Sequence, residues 1–210
     1  LAGKPLLVHA MEELSLVSGA QRYLLTDRQS AEALAPLAEP RDFTVLPGPA
    51  EDVLRRYAMM AEDSGADILV RATGDNPLVS PKMTRKAIKL LLTGGGDLAA
   101  FDNLPLGVGV EVLRASAVLR ADQEAAARDE REHVTLHLYR NPERYRIDRR
   151  PAPPYASMPE GRVTLDTEED YELISELYRR IYQGRPPEID EVIAELRELE
   201  AARQEAPSRR

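Results

Sequence analysis

Short apolar segments alternate with longer segments of helical periodicity along almost the whole chain of 210 residues. The clearest apolar segment, Asp67–Arg71, is apolar at consecutive interior positions, as expected for a central strand with both faces buried. Strands that alternate with helices in this way form βαβ units and a mainly parallel sheet, so the pattern predicts an α/β fold. We expect strands near residues 23–25, 43–46, 67–71, 98–101, 108–113, 145–149 and 162–165, and helices near 5–17, 29–38, 50–64, 81–92, 115–126, 129–140, 167–183 and 187–203.

Composition and length narrow the class of protein further. A chain of 210 residues suits one domain, which we place at residues 1–203 with a frayed tail at 204–210. The absence of Cys excludes disulfides and Cys-ligated metals, and a formal net charge of −8 argues against a nucleic-acid partner. Neither a signal peptide nor an apolar run long enough to cross a membrane is visible. We therefore expect a cytoplasmic protein with no membrane partner.

The segment Arg71–Leu78 follows the clearest predicted strand and contains the first candidate for chemistry. Gly74 allows the backbone to turn sharply or approach a ligand closely. Asp75 is then presented at the carboxyl edge of the sheet, where α/β sheets bind ligands. A carboxylate there suits Mg²⁺, which takes oxygen ligands and shares them with phosphates. An Asp that caps its own loop fits equally well, and the local chemistry leaves both interpretations open.

Asp166 holds an equivalent position later in the chain. The predicted strand ends at Leu165, and a helix with an acidic first turn begins near Thr167. An Asp or Thr before such a turn is typical of a helix N-terminus, so capping is the favoured interpretation of this segment alone. As a pair, Asp75 and Asp166 come from separate strand ends and predict one shared metal site.

Residues 47–57 form a Gly/Pro loop followed by a helix. One hypothesis is that the loop at Gly48 packs against a nucleotide base while Arg56 reaches a phosphate or a sugar. The alternative is structural, because an acidic helix start followed by basic residues suits the helix dipole. The chain has no GxxxxGK[ST] phosphate loop, and the glycines at 94–96 end a predicted helix instead of opening one.

His133 lies in the segment Glu130–Thr135, at the start of a predicted helix. It is a candidate for substrate contact or for a general base, although a charged, solvated helix start is the commoner explanation. His137 follows one turn later, but no third ligand is spaced to support a metal site. We therefore predict no metal site at these histidines.

Several short motifs, each modest by itself, occur in an order that resembles one family. That family is the spore coat polysaccharide biosynthesis protein F family, which is similar to the cytidylyltransferases that activate acidic sugars such as 3-deoxy-manno-octulosonate and N-acylneuraminate. The resemblance extends from Gly3 to about Tyr182. The motifs that carry it are Gly3–Leu7, Asp52–Tyr57, Arg71–Leu78, Val110–Val112, Glu130–Thr135 and Asp166–Tyr171.

The resemblance implies a GT-A-like nucleotide-diphospho-sugar transferase fold, three-layered (α/β/α) with a mixed sheet, often in a homodimer. It implies an enzyme that transfers CMP from CTP to a sugar hydroxyl with Mg²⁺, for cell-surface polysaccharide biosynthesis. Carried over, Asp75 and Asp166 are the catalytic metal ligands. The implied nucleotide-binding residues are Lys4, Thr26, Gly48, Asp52, Arg56, Arg71 and Gly74, and the implied sugar-binding residues are Asn103, Glu111, Arg131 and His133.

Two features depart from the family pattern. The family begins with a strand and an Arg/Lys-rich loop that grips the triphosphate, whereas this chain begins at Leu1; we expect that loop to be either upstream or absent. The stretch Asn103–Gly107 is shorter than usual and Gly109 stands where an Asp is common, which predicts a remodelled sugar pocket. Two other functions remain open: a GT-A-like glycosyltransferase with a nucleotide-sugar donor, and a non-catalytic homologue that binds or assembles.

Overall fold

Helices and strands alternate as the apolar pattern predicts. A computed structural model describes residues 1–205 of the chain. Residues 206–210 of the predicted frayed tail lie outside the described residues, and the last helix continues to Glu205, slightly beyond the predicted end at 203. The strands are β1 (Arg22–Asp27), β2 (Phe43–Gly48), β3 (Ile68–Arg71), β4 (Leu98–Asp102), β5 (Glu111–Arg114) and β6 (Ile147–Pro151). The α-helices are α1 (Leu6–Ser15), α2 (Ala31–Ala38), α3 (Val53–Ser64), α4 (Pro81–Gly94), α5 (Ala115–Glu124), α6 (Arg128–Glu132), α7 (Leu136–Arg140), α8 (Glu168–Ile181) and α9 (Ile189–Glu205).

The strands within residues 1–205 form two sheets. One sheet has the order β3-β5-β4-β6, and the other consists of β1 and β2, which are parallel. In the larger sheet β4 and β6 are parallel, whereas β5 is antiparallel to both of its neighbours, so β3, β4 and β6 share one direction. The reversal of β5 follows from the connection 103–110, because a parallel neighbour needs a crossover of about a dozen residues or more. The sheet is therefore mixed, as the family resemblance implied.

Helices cover both faces of the larger sheet and give the three-layer arrangement. On one face, Ala87 and Leu91 of α4 pack in a cluster with Ala99 of β4 and Val112 of β5. On the other face, α3 and α5 pack in a cluster that includes the intervening strand residues Leu98, Ala100 and Leu113. Successive strand residues point to opposite faces, so a strand covered on both sides must be apolar throughout. This explains the continuous apolar runs in the sequence.

Two helix starts have the capping chemistry that their sequences indicate. The Ser80 hydroxyl accepts a hydrogen bond from the Met83 backbone N–H ahead of Pro81, the first residue of α4. Thr167 and Asp170 form a reciprocal capping box at the start of α8. These caps fix the residue at which each helix begins. Both helices follow loops that lie near the carboxyl edge of the sheet.

The prediction of one continuous helix at 129–140 is wrong, because the structure has two shorter helices there, α6 and α7. The His133 backbone N–H closes α6 on the Asp129 carbonyl at 2.8 Å, and the following Val134 is completely buried in the core. The Thr135 hydroxyl then donates to Glu111 on β5 at 3.0 Å. Core burial and this long-range hydrogen bond stabilise the break against the local helical preference.

The predicted strand 162–165 is also wrong, since only an isolated bridge between Leu106 and Arg162 forms there. The next residues bond elsewhere: Val163 N–H donates to the Leu106 carbonyl at 2.7 Å, and Leu165 N–H donates to the Asp75 carbonyl at 3.0 Å. The predicted strand 108–113 begins only at Glu111, because the Val108 carbonyl accepts from Ser80 N–H at the start of α4.

An apolar groove of about 480 Å³ lies between the two sheets, lined by β1, β3 and the inner faces of α1 and α3. Within the described part of the chain, no helix is long and apolar enough to cross a bilayer.

Candidate active site

The loop after β3 brings the two predicted carboxylate segments side by side. The Asp75 carbonyl oxygen accepts a hydrogen bond from Leu165 N–H at 3.0 Å, and Asp75 Oδ2 accepts from the Thr164 hydroxyl at 3.4 Å. Asp166 is therefore the next residue along a segment that is bonded directly to the Asp75 loop. The chain segments of Asp75 and Asp166 therefore lie side by side, although the second segment is a loop and not a strand end. The shared metal site stays a prediction.

Two buried oxygens in this loop are left without partners. Asp75 Oδ1 and Asn76 Oδ1 are buried and have no hydrogen-bond partner among residues 1–205. A buried polar atom without a partner costs about 1–3 kcal/mol and calls for an explanation such as a bound ion or ligand. The other polar atom of the Asn76 side chain is satisfied, since Nδ2 donates to the Thr73 hydroxyl at 2.8 Å. The geometry thus leaves two oxygen acceptors free for an external group.

Asp166 is more exposed than Asp75 and forms an ion pair with Arg162. Arg162 also binds Asp170 at 2.7 Å, and these hydrogen bonds hold the pKa of the Asp170 carboxyl far below its usual range. The described residues contain no cluster of three or more His, Cys, Asp or Glu side chains that fits a metal ion. The chain therefore offers at most a pair of carboxylates here, which suits Mg²⁺ because this ion keeps water and phosphate oxygens as its other ligands.

Glu111 is the centre of a hydrogen-bond network at one end of β5. Its Oε2 accepts from Arg71 on β3 and from Thr135, each at 3.0 Å, and its Oε1 accepts from the Tyr139 hydroxyl at 2.8 Å. Burial, followed by the charge of Glu111, raises the pKa of Tyr139 and keeps its hydroxyl a donor. Both carboxylate oxygens are therefore used by the protein itself.

The network borders a cavity of about 310 Å³, which we call the Glu111 cavity. Asn103 lines it in a left-handed conformation (φ 62°), held by Met158 N–H on its carbonyl at 2.8 Å. On the other side, Arg149 Nε donates to Asp102 at 2.7 Å. The lining consists mainly of the ends of three strands and the loop after β4, namely Arg71–Thr73, Asn76, Ala100–Gly107, Gly109–Glu111 and Arg149.

A second cavity, of about 230 Å³, lies on the other side of the loop after β3. We call it the Arg56 cavity; it is lined by α1, β1, α3 and the segment Arg71–Gly74. Arg56 Nε is buried without a partner among residues 1–205, and its guanidinium makes only a 3.5 Å contact to the Ala50 carbonyl. A Cβ on Gly48 would lie 2.6 Å from Arg56 Cγ, so the glycine allows this close packing. The structure therefore packs Arg56 against Gly48, and both residues belong to the predicted nucleotide-binding set.

The two cavities share one wall, formed by Arg71–Thr73 at the carboxyl end of β3. Asp75 lies just beyond this wall in the same loop. The two cavities are therefore neighbours, and the loop that contains Asp75 continues from the wall that they share. Two substrates that react with each other must bind in neighbouring positions.

Other predicted site residues lie outside both cavities. Arg131 makes a bidentate pair with Asp52 at distances down to 2.7 Å and also binds Asp122 at 2.6 Å, while Asp52 caps α3 through Arg55 N–H. His133 is an exposed residue at the end of α6. The structure does not bring Arg131 or His133 to the Glu111 cavity that contains Asn103.

Of the remaining predicted residues, Gly74 lines the Arg56 cavity, whereas Lys4 and Thr26 line neither of the two cavities. Hydrogen bonds to Glu12 and then Tyr182 hold Lys4 and raise its pKa. Thr26 is buried at the end of β1, next to the edge that contains Gly48. Gly74 is exposed, and an added Cβ there would lie 3.1 Å from Leu7 of α1, so its closest neighbour is a helix and not open space.

Three residues that line the Glu111 cavity, and Tyr139, which donates a hydrogen bond to Glu111, escaped prediction. Asn76 belongs to the motif Arg71–Leu78 but was assigned no role. Its position directly after Asp75 is the feature that indicates one. Asp102, Tyr139 and Arg149 had no local signal, because their grouping depends on the pairing of β4 with β6 and on the break between α6 and α7.

Solved structures identify the fold. A cytidylyltransferase from Leptospira borgpetersenii serovar Hardjo-bovis superposes with a TM-score of 0.86 at 22% identity, covering 99% of this chain and 89% of that one. CMP:2-keto-3-deoxy-manno-octonic acid synthetase complexed with CTP gives 0.65 at 14% identity, covering 86% and 90%. The fold is that of the nucleotide-dependent α/β transferases, as the resemblance implied.

Sequence comparison then gives the family. The chain belongs to the cytidylyltransferase family, whose sequence model matches residues 1–201. It is 33% identical over 165 residues to the spore coat polysaccharide biosynthesis protein SpsF of Bacillus subtilis, covering 78% of this chain and 68% of that protein. It is also 33% identical over 101 residues to 2-C-methyl-D-erythritol 4-phosphate cytidylyltransferase of Cereibacter sphaeroides, covering 46% and 45%. The predicted family and the nucleotidyltransferase class are confirmed.

Proposed function

We propose that this chain transfers CMP from CTP to a hydroxyl group of a sugar, with release of pyrophosphate, for cell-surface polysaccharide biosynthesis. Family membership supports the use of CTP, and the similarity to SpsF supports the polysaccharide context. The single observation that carries the proposal is the common wall of the Arg56 and Glu111 cavities, with Asp75 just beyond it.

The chain's own residues divide the work by position. Arg56 is a cation with no ion-pair partner within residues 1–205, so it is available to a phosphate. The Glu111 network fixes the wall of the other cavity and orients Arg71 against it. In the proposed reaction an acceptor hydroxyl oxygen bonds to the α-phosphorus, the bond from that phosphorus to the pyrophosphate oxygen breaks, and the hydroxyl proton passes to solvent water. Phosphoryl-type transfers of this kind depend mainly on positioning and on charge.

Asp75 and Asp166 are the residues that would hold Mg²⁺. The free, buried Oδ1 of Asp75 fits a hard cation, and the segment of Asp166 is hydrogen-bonded to the Asp75 loop. When bound, the ion would neutralise charge on the phosphates. Engagement of Asp166 requires its release from Arg162, which is feasible because the carboxylate is on the surface and Asp170 keeps the arginine paired.

The proposal is tested by pyrophosphate release from the full-length protein with each nucleoside triphosphate, MgCl₂ and a panel of sugars. We expect release with CTP and an acceptor, and a loss of about a hundredfold or more in kcat for Asp75→Asn. Asp190→Asn, on an exposed residue of α9, is the matched control and should behave as wild type. Undiminished Mg²⁺-dependent turnover in Asp75→Asn would exclude the proposed role, whereas sugar transfer from a nucleotide-sugar donor would favour a glycosyltransferase.

The homodimer, which the family resemblance implies, and the cytoplasmic location, which the sequence pattern predicts, both stay predictions. Light scattering after size-exclusion chromatography measures the first: a mass of twice 23.4 kDa is expected for this chain. Fractionation of the source cells measures the second.

A further inference from the structure

Arg131 lies at the centre of a charge cluster that joins three helices. Its Nε and Nη2 donate to the carboxylate of Asp52 at 2.7 to 3.0 Å. Its Nη1 and Nη2 donate to the carbonyl and the carboxylate of Asp122 at 2.7 and 2.6 Å. Arg131 belongs to α6, Asp122 to α5, and Asp52 is the N-cap residue of α3. We call these three residues the Arg131 clamp.

Asp52 connects the Arg131 clamp to the Arg56 cavity. Its Oδ1 accepts from Arg55 N–H at 2.9 Å, and its carbonyl accepts from Arg56 N–H at 3.3 Å. Gly48, four residues before Asp52, packs against the Arg56 side chain. The Ala50 carbonyl in the same segment lies 3.5 Å from the Arg56 guanidinium. A displacement of Asp52 would therefore be passed to the segment 48–52 and to Arg56.

Loss of the Arg131 guanidinium would affect the two carboxylates of the clamp differently. Asp122 would keep Arg55, which binds its other carboxylate oxygen at 2.9 Å. Asp52 forms an ion pair with no other cation within residues 1–205. Its charge would then be uncompensated beside a second carboxylate, and like charges repel. Since Asp122 is the more buried of the two and stays paired, the repulsion would displace Asp52.

We infer that Arg131 is a positioning residue for CTP, because by holding Asp52 it fixes the segment 48–52 and Arg56 where the phosphates bind. The inference rests on the proposed cytidylyl transfer and assigns Arg131 to the nucleotide side of the site. The family resemblance implied contact with the sugar instead. Arg131 lines neither cavity, so it acts through Asp52 and not on a substrate.

Arg131→Gln tests this role in the full-length protein, by pyrophosphate release with CTP and the acceptor varied in turn. We expect KM for CTP to rise about tenfold. The value of kcat and KM for the acceptor should stay within about twofold, because no member of the clamp lines the Glu111 cavity. Arg131→Lys keeps the charge but loses the fork that binds Asp52, so its KM for CTP should rise only about threefold. Calorimetric titration with CTP and MgCl₂ gives the same comparison without an acceptor.

Arg128→Gln is the matched control. Arg128 lies on the same helix, α6, and binds Glu51 in the same segment at 3.3 Å. The side chains of this pair are 81% and 79% exposed, whereas those of Arg131 and Asp52 are 19% and 28% exposed. An exposed ion pair contributes little, so Arg128→Gln should leave KM for CTP unchanged.

The double variant Arg131→Gln/Arg56→Gln separates positioning from a general loss of stability. If Arg131 acts through Arg56, the double variant should have nearly the same KM for CTP as Arg56→Gln alone. A rise equal to the product of the two single effects would show that Arg131 acts independently of Arg56, and would overturn the inference. Circular dichroism verifies that each variant is folded, and Arg131→Lys replaces Arg131→Gln in the comparison if the latter does not fold.

The outcomes for the inference and for the proposed function can be told apart. Wild-type KM for CTP in Arg131→Gln, in a protein that releases pyrophosphate, would overturn the inference and leave the proposed function intact. A wild-type protein that neither binds CTP nor releases pyrophosphate with any acceptor would overturn the proposed function, and the inference with it.

Discussion

Glu13 shows how one residue makes the stability of this fold depend on pH. Its side chain in α1 is almost fully buried, and Oε2 has no hydrogen-bond partner within residues 1–205. Burial raises the pKa of Glu13 to about 9, with further contributions from the charges of Glu188 and Glu12. The native state therefore holds the Glu13 proton more tightly than the unfolded chain does. The resulting stability is complete below the unfolded pKa of about 4.5 and is lost as the pH rises toward 9.

Glu13→Gln should remove this dependence, because an amide remains neutral at every pH in the window. We expect the free energy of unfolding of the wild type to fall by a few kcal/mol between about pH 5 and pH 9, and that of the variant to change much less. Denaturant unfolding across this pH range measures both. Glu172→Gln, an exposed position on α8, is the control that should keep the wild-type slope. Parallel pH profiles for wild type and Glu13→Gln would contradict the assignment.

The loop after β4 is the element that shapes the Glu111 cavity, and it depends on Gly107. This residue has φ +99°, and a Cβ there would lie 2.7 Å from Thr164 N and 2.8 Å from Val163 C, both backbone atoms. Backbone atoms cannot move aside as a flexible side chain does. Gly107 therefore allows the loop to lie against the segment that leads to Asp166.

Gly107→Ala should destabilise the protein by about 2–4 kcal/mol, because it adds a steric clash to an unfavourable backbone conformation. Gly184→Ala is the matched control: its φ is +79° but no atom lies within 4 Å of an added Cβ, so about 1 kcal/mol is expected. Thermal or denaturant unfolding of both variants gives the comparison. Equal losses would show that the close backbone contact contributes nothing.

The sequence predicted most elements because each depends on local periodicity, as the caps at Ser80 and Thr167 illustrate. Strand direction and helix breaks depend on remote partners. The reversal of β5 follows from the connection length between two strands, and the break at 133–135 depends on a bond from Thr135 to Glu111. Neither the direction of β5 nor the helix break can be predicted from the residues of a short stretch of sequence alone.

At the scale of the whole molecule, the candidate site lies where two cavities meet at the carboxyl end of β3. The position of Asp75 could be predicted, since it directly follows a recognisable strand. Arg149 could not, because it reaches the site only through its pairing with Ala100 in the ladder between β4 and β6. Arg131 illustrates the opposite case: its motif was recognised, but its guanidinium is held by Asp52 and Asp122 away from the Glu111 cavity.

The division of the site into two cavities makes a separable kinetic prediction. Arg56 belongs to one cavity only, and its guanidinium is not ion-paired within the described part of the chain. A charge-assisted hydrogen bond to a phosphate contributes about 1.5–3 kcal/mol, so Arg56→Gln should raise KM for CTP by about tenfold to a hundredfold. KM for the acceptor should stay within about twofold, because Arg56 does not line the Glu111 cavity.

Arg55→Gln is the matched control for this prediction. The residue is the neighbour of Arg56 on α3, but it is bonded to Asp122 at 2.9 Å and to Glu62 at 3.2 Å, outside both cavities. We expect Arg55→Gln to lower stability slightly and to leave KM for CTP unchanged. Steady-state kinetics with each substrate varied in turn separates the two constants. If Arg56→Gln raised both KM values equally, the cavities would not bind separate substrates, and the two-substrate arrangement at the end of β3 would be wrong.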